Sequence, residues 1–137
     1  MTTEHKGSCL CGGIQITFTG APKKNFICYC SDCRKGSGHL GQFISQYDSD
    51  DVKVTDKDSN LKEFVVTATK SGFPKRKQYC GGCGSTILTL PMKHNGEVAM
   101  VRPSLLDSDF SQFAPNLGIF GDVKTEYTKG CETDEFF

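Results

Sequence analysis

Eight cysteines in 137 residues restrict this chain more than any other feature. They are grouped as Cys9-x-Cys11, Cys28-x-Cys30-x-x-Cys33 and Cys80-x-x-Cys83, with Cys131 alone near the end. A chain of this length suits a single domain over residues 1–137, with a core of about 7–130 and a tail of 131–137. At 36% hydrophobic the core is modest, so cross-links add much of what it lacks. Thiols at this density mean either disulfides in an oxidising compartment or metal in a reducing one. The N-terminal stretch "MTTEHKGSCLCGG" has no apolar run of the signal-peptide kind. No later stretch approaches the roughly 18 consecutive apolar residues of a membrane span. These readings predict a cytoplasmic protein, with the nucleus as a second compartment, whose reduced thiols hold metal. Sixteen basic residues balance sixteen acidic ones without a long basic run, so nucleic acid is not an expected partner.

Outside the cysteines, alternation at period two dominates. "GIQITFTG" sets Ile14, Ile16 and Phe18 on one face and Gln15, Thr17 and Thr19 on the other, the pattern of a half-buried strand. "FICY", "GQFISQY", "DVKVT", "KEFVVTA", "STILTLP", "EVAMV" and "LGIFGDV" are further strand-sized runs, separated by Gly, Pro, Asp and Ser clusters. The expected fold class is all-β. Two helical turns are expected, one through "SDCRKG" with Ser31 as its cap and one or two turns within "SLLDSDFSQF". Glycines beside the cysteines (Gly12, Gly13, Gly81, Gly82, Gly84) let the backbone bend so that successive sulfurs face one point.

"YCGGCGS" is a knuckle sequence, and structural zinc takes four ligands, so this pair needs a second one. Cys9 and Cys11 can supply it, which would tie more than half of the chain together. Cys28, Cys30 and Cys33 are then left as three, the number of protein ligands at zinc sites that keep a position for water or substrate. Spacing also allows closure of that site by Cys131 or by His39, or a shuffled set in which Cys28 and Cys30 partner Cys80 and Cys83. A zinc ion on three thiolates carries a net charge of minus one, which makes it a weak activator of water and better suited to holding a thiolate from outside. Arg34 and Lys35 follow directly and are candidates to offset that charge or to hold a substrate carboxylate. "KRK" at 75–77 reads as an exposed strand face and His39 as a polar residue at a strand start. Cys131 reads as a free thiol, and Phe136 and Phe137 belong to the terminal tail. For Tyr29 the sequence does not decide whether the ring packs on the core with its hydroxyl toward the site.

"GSCLCGGI", "CYCSDCRKGSG" and "YCGGCGS", in this order and spacing, resemble the zinc-binding signature of the glutathione-dependent formaldehyde-activating enzyme family, the CENP-V/GFA domain. The likeness runs from about Gly7 to Gly130 and is weaker after Ser85, where "PNLGIF" carries it. It implies an all-β fold of the Mss4-like type, with stacked antiparallel sheets around two zinc sites. By resemblance Cys9, Cys11, Cys80 and Cys83 hold structural zinc, and Cys28, Cys30 and Cys33 hold catalytic zinc where the thiol of glutathione meets the metal. The implied reaction is carbon–sulfur lyase chemistry on a small thiol adduct, S-(hydroxymethyl)glutathione being the type. A non-catalytic Mss4-like zinc-binding module that engages another protein is the alternative. The chain departs from the family pattern at Tyr29, where a His is usual, and at Gly118, also a usual His, and it has no Trp. The last two departures fall where substrate selection is expected.

Overall fold

The computed structural model describes residues 2–126. Among these, ten strands are joined by short turns: β1 (Glu4–Ser8), β2 (Ile14–Thr19), β3 (Lys24–Cys28), β4 (Gln42–Asp48), β5 (Val52–Asp56), β6 (Leu61–Val66), β7 (Lys75–Cys80), β8 (Thr86–Pro91), β9 (Val98–Val101) and β10 (Leu117–Ile119). The α-helix α1 (Ser31–Ser37) lies between β3 and β4, and the other helical pieces are 3₁₀ turns. The strands form a three-stranded sheet ordered β1-β2-β5 and a seven-stranded sheet ordered β10-β3-β4-β9-β8-β7-β6. All pairs are antiparallel except β10 with β3, which run parallel. This is the all-β, Mss4-like architecture expected from the sequence.

Alternation along the strands gives the large sheet two different faces. On one, Tyr47, Leu88, Ala99 and Val101 meet Ile14, Ile16 and Phe18 of β2, with Leu106 and Phe113 closing the edge. This is the main core, and it glues the two sheets together by removing apolar side chains from water. On the other face, Phe26, Cys28 and Ile44 form a smaller cluster beneath α1, with Cys30, Cys33, Met100, Leu117 and Ile119 packed around it. The second face therefore carries the three-cysteine stretch, and the core behind it holds the strands still.

The runs with alternating apolar residues fold as strands at the expected places, and Ile14, Ile16 and Phe18 are buried as read. "LGIFGDV" is a strand only to Ile119; Gly121–Val123 is a 3₁₀ turn. "SLLDSDFSQF" holds parts of two 3₁₀ turns, Pro103–Leu105 and Ser111–Phe113. Two strands have no such pattern. β1 reads EHKGS and is held by pairing to β2, while β7 reads KRKQYC and lies between β6 and β8. In both, the backbone ladder supplied by neighbours decides the conformation over intrinsic preference. The helix forms where expected, but its N-cap is Cys30, not Ser31: the Cys30 Sγ accepts from the Cys33 N–H at 3.4 Å. Gly38 ends it in the left-handed conformation, φ 67°, with its N–H on the Arg34 carbonyl.

Candidate metal centres and the cationic face beside them

Four cysteines converge from two hairpin-like turns. Cys9 and Cys11 follow β1, Cys80 ends β7 and Cys83 lies in the turn after it; all four sulfurs lie within 4.8 Å of one another. The Cys9–Cys11 and Cys11–Cys80 sulfurs are 3.6 and 3.7 Å apart. A tetrahedral zinc with bonds of about 2.3 Å sets its sulfurs about 3.8 Å apart, so the spacing fits such an ion. Gly12 and Gly84, at φ 79° and 80°, turn the chain just after each pair, a conformation that costs a side-chain-bearing residue. Donors already face the sulfurs: Ile14 N–H on Cys9 and Gly82 N–H on Cys80, each at 3.3 Å, and the Ser85 hydroxyl 3.3 Å from Cys83. Such donors favour the thiolates that a metal needs. Cys83 is accordingly pulled down to about 5, chiefly by Ser85.

Cys28, Cys30 and Cys33 form the second set, also with all sulfurs within 4.8 Å. Cys28 ends β3, Cys30 caps α1 and Cys33 sits in its first turn, so a strand-to-helix bend alone brings the three together. Hydrogen bonds from the Cys28 and Cys33 thiols, with the Cys33 N–H and the charge of Lys75 adding to them, pull Cys30 down to about 2. The same sharing, with burial, pushes Cys28 well up. Among the described residues the cysteines segregate as four and three, which excludes the shuffled pairing, and His39 is not part of either set. Cys131, Phe136 and Phe137 lie outside the described residues.

The charged residues near this set are not all those expected. Arg34 and Lys35 are exposed on α1. "KRK" is not an exposed strand face: alternation splits it, with Arg76 turned to Glu63 at 3.0 Å and Lys75 and Lys77 half-buried on the cysteine face. Lys75 reaches Asp32 of α1 at 3.1 Å. Burial pushes Lys75 down, but the Asp32 carboxylate more than reverses this and leaves it above its usual value. The Lys77 ammonium lies against Gly36 of α1, where a Cβ would strike it. Arg102 had no part in the expectations, yet it is 3% exposed on the same face, its Nη2 donating to Thr89 Oγ1 at 2.8 Å and its Nη1 to the Met100 carbonyl at 2.6 Å. Period two in "KRK" pointed toward Lys75 and Lys77, and Arg102 stands one residue after the buried strand "VAMV".

Between α1 and the turn joining β7 to β8 lies a cavity of about 540 Å³, lined among others by Tyr29, Ser37, Gln42, Thr86 and Arg102 and by no carboxylate. Tyr29 is buried, with the Lys124 ammonium 5.7 Å from its ring centre. Gly118 pairs with Ile27 across the parallel β10–β3 ladder, beside the strand that delivers Cys28.

The family model described as "Glutathione-dependent formaldehyde-activating enzyme" matches residues 4–122, spanning both cysteine sets. The chain belongs to this family. The fold is also found in a solved structure: a Rhodobacter sphaeroides protein, a Northeast Structural Genomics target, superposes with a TM-score of 0.59. The two share 20% identity over 78% of this chain and 92% of the other, a likeness of fold alone. The comparison with curated proteins found no match. Family membership and the two thiol sets together fit a zinc-binding protein of the glutathione-dependent formaldehyde-activating type. Among the described residues no helix is long and apolar enough to cross a membrane.

Proposed function

We propose that this one-domain protein is a zinc-dependent carbon–sulfur lyase-like enzyme acting on a small thiol adduct of the S-(hydroxymethyl)glutathione type. One observation carries the reading. Cys28, Cys30 and Cys33 converge without a fourth protein ligand among the described residues, while the other four cysteines already make a full set. Cys28, Cys30 and Cys33 would hold zinc, which would supply a coordination position favouring a substrate thiol as its thiolate, the proton passing to solvent. Cys9, Cys11, Cys80 and Cys83 are the structural ligands in this reading. The remaining chemistry belongs to the chain. Lys77 offers its ammonium to the substrate's negative charge, and Lys75 is held by Asp32 at the rim. The neighbouring cavity, free of carboxylates and within the roughly 300–1,000 Å³ of small-molecule sites, takes the polar arms of the thiol. Arg34 and Lys35, exposed on α1, are placed to draw an anionic thiol toward it.

The test is an assay of formation and cleavage of S-(hydroxymethyl)glutathione on protein with a measured zinc content. Two zinc ions per chain and adduct turnover are expected, with Cys30→Ser losing turnover but keeping one zinc and its fold. Two bound zinc ions with no turnover of any thiol adduct would sink the enzyme reading. A second reading, a zinc module that binds another protein, draws on Leu10, 87% exposed in the turn of the four-cysteine set. It predicts that Leu10→Asp abolishes a protein contact while zinc and fold are kept.

A further inference from the structure

Arg102 presents a charge problem. Its side chain is 3% exposed, its hydrogen bonds to the Met100 carbonyl and Thr89 Oγ1 end on neutral oxygens, and its Nε has no hydrogen-bond partner among the described residues. No described carboxylate forms an ion pair with it. A buried cation left unpaired is among the costliest features of a folded chain, and a guanidinium does not escape by losing its proton. The groups facing it leave one source of compensation. From β7 come Lys77 and Lys75, both positive, and the Asp32 carboxylate of α1 is already engaged by Lys75. Met100 and Thr89 are neutral. The groups able to act on Arg102 as anions are Cys33 and Cys28 in their thiolate form, and burial pushes the guanidinium down to about 10 even with both of them in its favour.

Strand register explains the placement. Lys77, Thr89 and Met100 stand opposite one another across β7, β8 and β9, on the face that carries Cys28. Arg102 continues that face two residues beyond Met100, in an extended conformation, and folds back over Thr89. Three thiolates on a divalent metal leave a net charge of minus one, equal and opposite to that of one guanidinium. We propose that Arg102 is the built-in counter-cation of the three-cysteine site, compensating the charge that its metal leaves on three thiolates. It is a positioning residue, acting through Cys28 and Cys33. With Arg102 balancing the ligands and Asp32 balancing Lys75, Lys77 remains to meet one incoming anion. The inference rests on the ligand assignment and not on the lyase reaction, so its readouts are metal retention and stability.

In a zinc competition titration of the full chain against a chromophoric chelator, Arg102→Met weakens the three-cysteine zinc roughly 10–100-fold, the scale of losing a group that supports metal ligands. Arg102→Lys, which keeps the charge without the planar fork, recovers most of that loss. The zinc on Cys9, Cys11, Cys80 and Cys83 is unchanged and serves as the internal control. A folded Arg102→Met variant with wild-type zinc retention overturns the proposal, as does an Arg102→Lys variant that loses as much as Arg102→Met. Folding of the single variant is not required. In a chain carrying Cys28→Ala, Cys30→Ala and Cys33→Ala the guanidinium has lost its anion, so adding Arg102→Met raises the melting midpoint or restores a cooperative melt. No gain in that background also overturns it.

Discussion

Lys77 and Gly36 share one small volume, and their contact makes the charge at the site adjustable by a single methyl group. Lys77 is half-buried without an ion-pair partner among the described residues. If it meets the substrate's negative charge, Lys77→Met raises KM for the glutathione adduct about tenfold, the weight of one charge-assisted contact, and leaves zinc content unchanged. Steady-state kinetics beside metal analysis checks this. Gly36→Ala acts on the same group from the other side. The new Cβ displaces the ammonium, which is the far end of a flexible chain, while Ala in place of Gly favours the helix by up to about 1 kcal/mol. The expected result is a raised KM with a melting midpoint no lower than wild type. A variant that melts earlier without a change in KM would contradict it.

At the scale of elements, the two cysteine sets are built from different parts, and the same substitution has different consequences in each. Cys28, Cys30 and Cys33 come from one strand–helix junction, so their convergence is local and survives the loss of any one sulfur. Cys9 and Cys11 belong to the three-stranded sheet's end and Cys80 and Cys83 to the seven-stranded sheet's, so a metal held by the four would bridge the two sheets. Cys30→Ser is therefore expected to keep the cooperative melt and one zinc, and Cys83→Ser to lose most of the fold, as structural zinc contributes folding energy directly. Circular dichroism with zinc analysis distinguishes these outcomes. β1 offers a purely steric counterpart. A Cβ on Gly7 would run into the backbone of Leu105 and Leu106, which has no freedom to retreat. Gly7→Ala should cost about 2 kcal/mol through overpacking, seen as an earlier denaturation midpoint with both zinc ions retained.

Over the whole molecule, the apolar interior between the sheets holds a short chain together, and a metal on the four-cysteine set would share that task. Ile16→Ala, at the centre of the main core, should cost about 2–5 kcal/mol. Removal of zinc from the four-cysteine set should cost at least as much, and chemical denaturation with and without chelator compares the two. The alternation in "GIQITFTG" and its fellows made the all-β class legible, because a half-buried strand has to alternate. Strand β1 was illegible because its conformation is imposed by the ladder from β2, and β7 was legible only as the strand face read in "KRK", without its half-buried setting between β6 and β8. Cysteine spacing likewise made each motif legible, since residues two or three apart near a bend can reach one metal, but it left open whether Cys80 and Cys83 meet Cys9 and Cys11 or Cys28 and Cys30, which the tertiary structure decided. Only the tertiary structure decided which cations face them. It divided Lys75 and Lys77 from Arg76, left Arg34 and Lys35 exposed, and drew Arg102 from far along the chain into the interior. Charge acts through space, and the neighbours of the three thiolates are set by strand order across β7, β8 and β9, which no local pattern encodes.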